Sequence, residues 1–291
     1  MVALAPTGVG LYMNGNFTLD VSTLDPALPS DGEIQVNSES WNAVDIDGNS
    51  TQVEASAMNI TGGIDISNNY DLGVPYSTGV PPIPDPLAWL PPPTWNPLDD
   101  KSSGIGITDI INEPKPDGSD YVFTEGYYSG GFNINSSDPN NPPNVRFGPG
   151  IYILDGRSTG LKAGLVVGGN ANVYSDRAMF YITGDGILSI QGNGEIQATP
   201  PTSEISATYE GVTIFQDRDN TNEALIKGTA DLELDGTLYF PTADPVNIRG
   251  GGWGFGNQLI GYRFDIRGQG IIGINYDGRN RAPVTMSFLV E

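Results

Sequence analysis

Apolar and polar residues alternate along most of this chain with a period of two, and helical periodicity is almost absent. The alternation is plain in GLYMNGNFTLDV, SAMNITGGIDIS, MFYITGDGILSIQGNGEIQAT and YRFDIRGQGIIGINY, where Gly and Asn punctuate the runs. Because successive side chains of a strand point to opposite faces, such segments are typical of short β-strands. The pattern therefore predicts an all-β protein.

A motif of one apolar residue, one variable residue and a glycine recurs in the second half of the chain. It occurs at Ile226-Lys227-Gly228, Leu234-Asp235-Gly236, Ile248-Arg249-Gly250 and Ile266-Arg267-Gly268. The longer steps between copies are roughly twenty residues, the length of one β-helix turn. Leucine-rich repeats of that length would show regular Leu and a consensus Asn, and these are missing. We predict a single elongated parallel β-helix; a β-sandwich of regular hairpins is the alternative.

One proline-rich segment, VPPIPDPLAWLPPPTWNPLDD from Val80 to Asp100, interrupts the strand pattern. Proline has no N–H to donate, so this segment cannot join a strand ladder. Because it carries Trp89, Leu90 and Trp95, we predict an extended strap whose aromatic side chains pack on the side of the β-helix. The predicted organisation is N-terminal β-helix turns over 1–75, the strap and its surroundings over 76–120, and the main β-helix over 121–291.

The stretch GQGIIG, which begins at Gly268, fits the dinucleotide-binding pattern G-x-G-x-x-G. That pattern binds a pyrophosphate only between a strand and a helix N-terminus. The following residues, INYDGRNRAPVTMSF, predict strand and turn, with no helix. We therefore interpret Gly268, Gly270 and Gly273 as glycines at β-corners.

Composition excludes several classes of chemistry. The chain has 291 residues without Cys or His, which excludes disulfides, thiolate nucleophiles, Ser–His–Asp triads and zinc–thiolate sites. Its formal charge of -22 repels nucleic-acid phosphates and anionic membranes, so no nucleic-acid partner is expected. The longest apolar stretches are strand-length, so no membrane span is predicted within this chain.

Segments in both halves of the chain resemble the exterior region of bacterial Tad (Flp) pilus-associated proteins of the TadG type. The C-terminal segments are Gly211 to Arg218, Leu234 to Ala243 and Gln258 to Ile260. The earlier ones are LAPTGVGLYMNGN, IQVNSES and VEASAMNITGG within Leu4 to Gly63, DPLAWLPPP at Asp85 to Pro93, and FGPGIYILDG at Phe147 to Gly156.

The resemblance implies a secreted or membrane-anchored protein with a β-rich exterior domain behind a hydrophobic N-terminal helix. That helix is absent from this chain, so any membrane contact would run through a segment outside it. Many members of the family also carry Cys near this point, and this chain has none. The resemblance implies a location, extracellular or at the cell surface, but it does not imply a particular reaction.

Three groups of residues are candidates for calcium, the one cofactor we consider. Asp45, Asp47 and Asn49 in DIDGN carry alternate oxygen side chains before and after a glycine, but the twelfth position lacks the Glu of an EF-hand. Asp231, Glu233 and Asp235 share one face of a predicted strand. Solvated turns and faces explain both groups without calcium. FQDRDN, from Phe215 to Asn220, has the residue types of a polysaccharide lyase site, but a salt-bridged loop is the favoured interpretation.

We expect a non-enzymatic exported bacterial surface protein that serves pilus assembly, adhesion or a surface layer. Its expected partners are other surface or pilus subunits, including a second copy of itself. The first alternative is a β-helix protein that binds or cleaves polysaccharide, with Trp89, Trp95 and Trp253 as candidate ligand contacts. The second alternative is a self-assembling extracellular filament subunit. No catalytic residue is assigned.

Overall fold

The computed structural model describes residues 1–23, 32–48, 50–67, 71–102, 109–156, 164–228, 232–251, 253–275 and 281–283. Their regular structure is almost entirely β. The strands are β1 Val2–Ala3, β2 Leu11–Asp20, β3 Glu33–Val36, β4 Val44–Ile46, β5 Gln52–Glu54, β6 Ala57–Ile60, β7 Ile64–Ile66, β8 Tyr76–Thr78, β9 Asp109–Ile111, β10 Tyr121–Phe123, β11 Gly126–Tyr128, β12 Gly131–Ser136, β13 Asn144–Phe147, β14 Gly150–Asp155, β15 Gly164–Gly169, β16 Asn172–Ser175, β17 Ala178–Thr183, β18 Ile187–Gln191, β19 Ile196–Ala198, β20 Val212–Gln216, β21 Ala224–Gly228, β22 Leu232–Leu234, β23 Thr237–Phe240, β24 Val246–Gly250, β25 Trp253–Gly256, β26 Gln258–Gly261 and β27 Phe264–Asn275. A short 3-10 turn spans Pro97–Asp99.

All strand pairings among the described residues are parallel, and most join a strand to the third strand after it. One sheet, the first sheet, has ten strands in the order β11-β14-β17-β20-β23-β26-β1-β3-β6-β8. Hairpins, which pair antiparallel, do not occur in this part of the chain. The structure is therefore all-β with long parallel sheets, and the hairpin pairing that a β-sandwich would need is not observed there.

The second sheet has 17 strands and consists of two parallel strips. Strip 1 runs β9-β12-β15-β18-β21-β24-β27-β2-β4-β7, and strip 2 runs β10-β13-β16-β19-β22-β25-β27-β2-β5. The long strands β2 and β27 take part in both strips, which joins them into one sheet.

Strip 1 shows how the period-two pattern becomes a core. Inward-facing residues at equivalent positions stack in register, one from each strand: Ile111, Ile134, Val167, Ile190, Ile226, Ile248, Ile266, Met13, Ile46 and Ile66. All but the last are buried. Branched apolar side chains pack well on a pleated surface. Each of these residues therefore packs against its partners on the two neighbouring strands, and together they form a continuous apolar row.

The N-terminal strands lie next to the C-terminal strands. Val2 is in register with Ile260 of β26, and β2 pairs with β27 from Leu11↔Phe264 to Asp20↔Gly273. On their other side, β1 and β2 pair with β3, β4 and β5. The segments 1–75 and 121–275 therefore share the same two sheets.

Glycines stack where β27 and β2 pass from strip 1 to strip 2. Gly268 is in register with Gly15, and a Cβ on Gly268 would lie 1.7 Å from the carbonyl oxygen of Gly250. That distance is far inside van der Waals contact, so only glycine fits there. This close approach of three backbones is the reason for Gly268; Gly270 and Gly273, predicted at β-corners, lie within the continuous strand β27.

The middle strands of the first sheet are buried on both faces, unlike those of the second sheet. The inner face of the first sheet joins the main core, and its outer face belongs to a separate apolar cluster. The strands β17, β20 and β23 are buried at every residue. Something must cover the outer face, and the proline-rich segment does so. No helix in the described part of the chain is long and apolar enough to cross a membrane.

Candidate functional site

The segment Val80 to Asp100, which we call the strap, follows the outer face of the first sheet. Near its start, Ile83 exchanges two hydrogen bonds with the side chain of Asn37, at 2.7 and 3.0 Å. Near its end, Asp100 pairs with Tyr127 and accepts bonds from Ser129. Asn37 follows β3, and Tyr127 lies in β11. The strap therefore runs back across most of the first sheet, from β3 to β11, opposite to the direction in which successive strands of the chain are laid down in that sheet.

The reach of the strap suits this path. Ten strands at a spacing of about 4.8 Å extend over about 43 Å. An extended chain of twenty residues covers about 62 Å as polyproline II. The sequence predicts an extended strap, but the strap is not extended throughout, because it turns where Leu90 N–H donates to the carbonyl oxygen of Leu87 and again in the 3-10 turn Pro97–Asp99. Its prolines restrict the backbone, which lowers the entropy that the strap loses on docking.

Three side chains anchor the middle of the strap. The guanidinium of Arg218 donates to the carbonyl oxygens of Leu90 at 3.0 Å and Leu87 at 2.8 Å. It also donates to the hydroxyl of Tyr239 at 3.1 Å, and that hydroxyl donates to Asp85 at 2.5 Å. Charge-assisted bonds of this kind are stronger than neutral ones, so carbonyls that no strand ladder satisfies still find good donors.

Apolar contacts fill the space between these bonds. Leu87 and Leu90 are buried against Tyr181, Phe215 and Tyr239. Trp95 stacks on Tyr127 with ring centroids 5.9 Å apart and lies 6.2 Å from the ring of Tyr181. Along the sheet, the rings of Tyr181 and Phe215, and of Phe215 and Tyr239, are each 5.0 Å apart. The strap thus shields the row of aromatic rings formed by Tyr181, Phe215 and Tyr239 from water.

The polar groups under the strap are held in fixed protonation states. Burial raises the pKa of the Tyr239 hydroxyl well above its ordinary value, and the bond to Asp85 raises it further. Burial and Asp217 do the same to the pKa of Tyr181. Burial raises the pKa of Asp217, but hydrogen bonds from Tyr181 and Thr183 outweigh it, so the pKa lies below the ordinary value. Such groups hold structure and do not exchange protons near neutral pH.

The first calcium candidates lie at an exposed corner of strip 1. Asp45 is in register with Asp65, and burial together with Asp65 and Asp47 raises its pKa. The carboxylate of Asp47 accepts bonds from Asn14 at 3.3 Å and Ser67 at 3.2 Å. Asn49 lies outside the described residues. Neutral donors from the protein therefore already reach Asp47.

Of the second calcium candidates, the structure describes Glu233 and Asp235. Glu233 is exposed on β22, and Asp235 lies at the following corner, where it accepts bonds from Gly236 N–H at 2.7 Å and Asn257 at 3.1 Å. Asp231 lies outside the described residues. Among the residues that the structure describes, no three acidic side chains come close enough together to hold a metal ion. Calcium binding stays a prediction.

Trp89 and Trp95 do not share one surface. Trp95 packs under the strap, whereas Trp89 is 43% exposed on its outer side. The side chain of Trp253 lies outside the described part of the chain. A groove of about 650 Å³ lies elsewhere, between residues 112–116 and 135–141. Its lining is polar, from residues such as Asn112, Glu113 and Asn135, and neither Trp89 nor Trp95 contributes to it.

We compared the chain with known proteins. No family model, no curated protein and no solved structure matches it.

Sequence reasoning missed the anchoring role of Arg218. In FQDRDN it placed Asp217, Arg218 and Asp219 in a salt-bridged loop, but the guanidinium lies over the rings of Phe215 and Tyr239 and donates to the strap. The strap carbonyls lie more than a hundred positions away, and no local signal points to them. Chemically, this arrangement can clamp two distant parts of the chain together.

Proposed function

We propose that this chain is the non-enzymatic exterior domain of a bacterial Tad-type pilus-associated surface protein, folded as a strap-bound parallel β-helix. Each turn of this β-helix would contribute one strand to strip 1, one to strip 2 and one to the first sheet. The long parallel sheets with in-register ladders support this architecture. We place the domain outside the cell, where its partners are other surface or pilus subunits.

One observation carries the proposal: several of the segments that resemble the pilus-associated family lie together on the first sheet. Three of them contain β20, β23 and β26, which are neighbours in the first sheet. A fourth, Asp85 to Pro93, is the part of the strap that bonds Tyr239 of β23 and Arg218, which follows β20. A fifth contains Asn37, which bonds the start of the strap.

This convergence supports a shared structural role for the segments. Segments that are far apart in the sequence are expected to match one family jointly when they build the same structural unit. Here the unit is a clamp, because the strap covers an aromatic row and Arg218 satisfies its carbonyls. A clamped rod transmits force and presents loops at a distance, which suits a protein of the cell exterior.

The proposal is tested by immunogold labelling of the source cells with an antibody against this chain, together with fractionation of membranes and medium. We expect label along pili or at their base. A strain that produces the Arg218→Gln variant should show weaker pilus label, and a Lys227→Gln strain, with a surface charge removed elsewhere, should label as the wild type does. Label on capsule or free in the medium, with none on pili, would overturn the proposal.

The alternative, a protein that binds or cleaves polysaccharide, calls for an aromatic-lined groove beside paired carboxylates. The groove between residues 112–116 and 135–141 is polar and lacks Trp89 and Trp95. It does contain two carboxylates, Glu113 and Asp138, but no aromatic side chain of the described residues lines it, and this lack of an aromatic lining favours the structural role. Incubation of the purified protein with extracellular polysaccharide from the source cells, followed by measurement of reducing ends, distinguishes the two.

A further inference from the structure

The sequence contains two pairs of asparagine followed by glycine, Asn14-Gly15 and Asn193-Gly194. Such a pair is open to an internal reaction, because glycine has no side chain to keep its backbone nitrogen away from the asparagine carboxamide. The reaction also needs a free carboxamide, a free backbone N–H and a backbone that can bend. The two pairs differ in all three respects.

The pair Asn193-Gly194 lies in the turn between β18 and β19, where the chain passes from strip 1 to strip 2. Asn193 is exposed. Its backbone N–H donates to the carbonyl oxygen of Gly169 at 2.7 Å. The N–H of Glu195 donates to Oδ1 of Asn172 at 3.0 Å. Between these two anchors, the side chain of Asn193 and the N–H of Gly194 make no hydrogen bond within the described part of the chain.

The stacking of the turns requires the glycine of this pair. A Cβ on Gly194 would clash with the carbonyl oxygen of Ala171, which lies in the neighbouring turn between β15 and β16. A residue with a side chain therefore does not fit at this position. The packing of one turn on the next thus keeps an unhindered nitrogen beside the carboxamide of Asn193.

The pair Asn14-Gly15 is held more firmly. It lies inside β2, where Gly15 is in register with Gly268 of β27. The amide group of Asn14 donates to the hydroxyl of Tyr12 at 3.0 Å and to the carboxylate of Asp47 at 3.3 Å. The side chain is tied and the backbone is part of a ladder, so Asn14 can react only when β2 opens locally.

We propose that Asn193 is a site of spontaneous deamidation. The backbone nitrogen of Gly194 loses its proton and bonds to Cγ of Asn193, the bond from Cγ to the side-chain nitrogen breaks, and ammonia leaves. Water then opens the cyclic imide. Hydrolysis of the new bond between Cγ and nitrogen gives aspartate, whereas hydrolysis at the backbone carbonyl carbon gives isoaspartate, in which the chain runs through the former side chain. Water is the only co-reactant.

Both products change the turn. Each places a carboxylate near Glu195, whose own carboxylate accepts bonds from Tyr174 at 2.8 Å and Gln197 at 2.9 Å. Isoaspartate also adds a methylene to the backbone between the anchored N–H groups of Asn193 and Glu195. We expect this extra length to break one of the two anchoring bonds and to accelerate hydrogen exchange in β19. The inference concerns the ageing of the protein and does not depend on its proposed place in the cell.

Peptide mapping by mass spectrometry, during storage of the purified full chain at neutral and mildly alkaline pH, tests the inference. We expect the peptide that contains Asn193 to convert into aspartate and isoaspartate forms. The conversion should be at least about tenfold faster than at Asn14, because the opening of a paired strand adds to the barrier there. The rate at Asn193 should rise with pH, since the attacking nitrogen must lose its proton.

Two controls separate the effect of the fold from that of the sequence. Asn193→Gln keeps a neutral carboxamide but would have to form a larger ring, so the modified peptide should disappear while Asn14 behaves as in the wild type. In denaturant the two pairs should convert at similar rates, because neither the ladder nor the side-chain bonds of Asn14 remain. An Asn193 that stays intact in the folded protein, or an Asn14 that converts as fast as Asn193 there, would overturn the inference.

Discussion

Val2 and Ile260 are parallel partners in neighbouring strands, although almost the whole chain separates them. The strand β26 is the last strand that the C-terminal half contributes to the first sheet. Its free edge pairs with β1, the first strand of the chain. The chain therefore begins in the middle of its own sheets, builds toward β8, returns along the strap to β11, and builds back to its first residues. The first strands are the joint between two stacks.

Substitution in this joint should weaken both stacks at once. Met13 of β2 is fully buried between Ile266 and Ile46. We expect Met13→Ala to lower the free energy of unfolding by about 2–5 kcal/mol, because it leaves a cavity in a continuous ladder. Hydrogen exchange should accelerate in β3–β7 and in β21–β27 together. The control is Asn16→Ala, at an exposed position of the same strand. Faster hydrogen exchange in only one stack would contradict the prediction that β1 and β2 connect the two stacks.

The strap should contribute to stability through its buried leucines. Leu87 is fully buried under the strap, whereas Leu98 in the same segment is 89% exposed. We expect Leu87→Ala to cost about 2–4 kcal/mol in denaturant unfolding, and Leu98→Ala to change stability by less than about 0.5 kcal/mol. Equal effects of the two substitutions would show that the strap does not dock in solution.

The glycine stack should not tolerate a methyl group. A Cβ on Gly268 would lie 1.7 Å from the carbonyl oxygen of Gly250, whereas the nearest atoms to a Cβ on Gly254 are at 3.8 Å. Gly268→Ala should destabilise the protein by about 1–3 kcal/mol or more, because the neighbouring backbone must move. Gly254→Ala should be far milder. Thermal unfolding of the two variants makes the comparison, and a neutral Gly268→Ala would rule out the close approach.

Stability should fall in alkaline solution. Burial raises the pKa of Tyr152, Tyr181 and Tyr239 above the ordinary value of 10.0. The unfolded chain therefore loses these protons at a pH where the folded protein keeps them, so the stabilisation is complete below pH 10 and is lost above it. The expected slope is about 1.4 kcal/mol per pH unit for each such tyrosine.

Denaturant unfolding at several alkaline pH values measures this slope, and tyrosinate absorbance reports ionisation directly. The Tyr239→Phe variant should be less stable at neutral pH, because Asp85 and Arg218 lose a partner, and its alkaline slope should be smaller by one tyrosine's share. Ionisation of all tyrosines of the folded protein near their ordinary pKa would contradict the prediction.

The sequence by itself determined the elements that depend on neighbouring residues. The alternation in YRFDIRGQGIIGINY became β27, and the glycines of GQGIIG lie within that strand. Ile226, Ile248 and Ile266, which share one repeated motif, stack in register. Strand geometry follows from the alternation of neighbouring side chains. A requirement for glycine follows from a crowded backbone position that repeats along the chain. Both features can therefore be recognised in the sequence.

Only the tertiary structure decided which layers meet. Nothing near Val2 indicates that it lies beside Ile260, and nothing near Arg218 indicates that it bonds Leu87. The β-strands of this chain have similar patterns, so any of them could stack on any other by local preference alone. Their order comes from the total burial of apolar surface and from the docking of the strap, which are sums over distant residues and leave no short pattern behind.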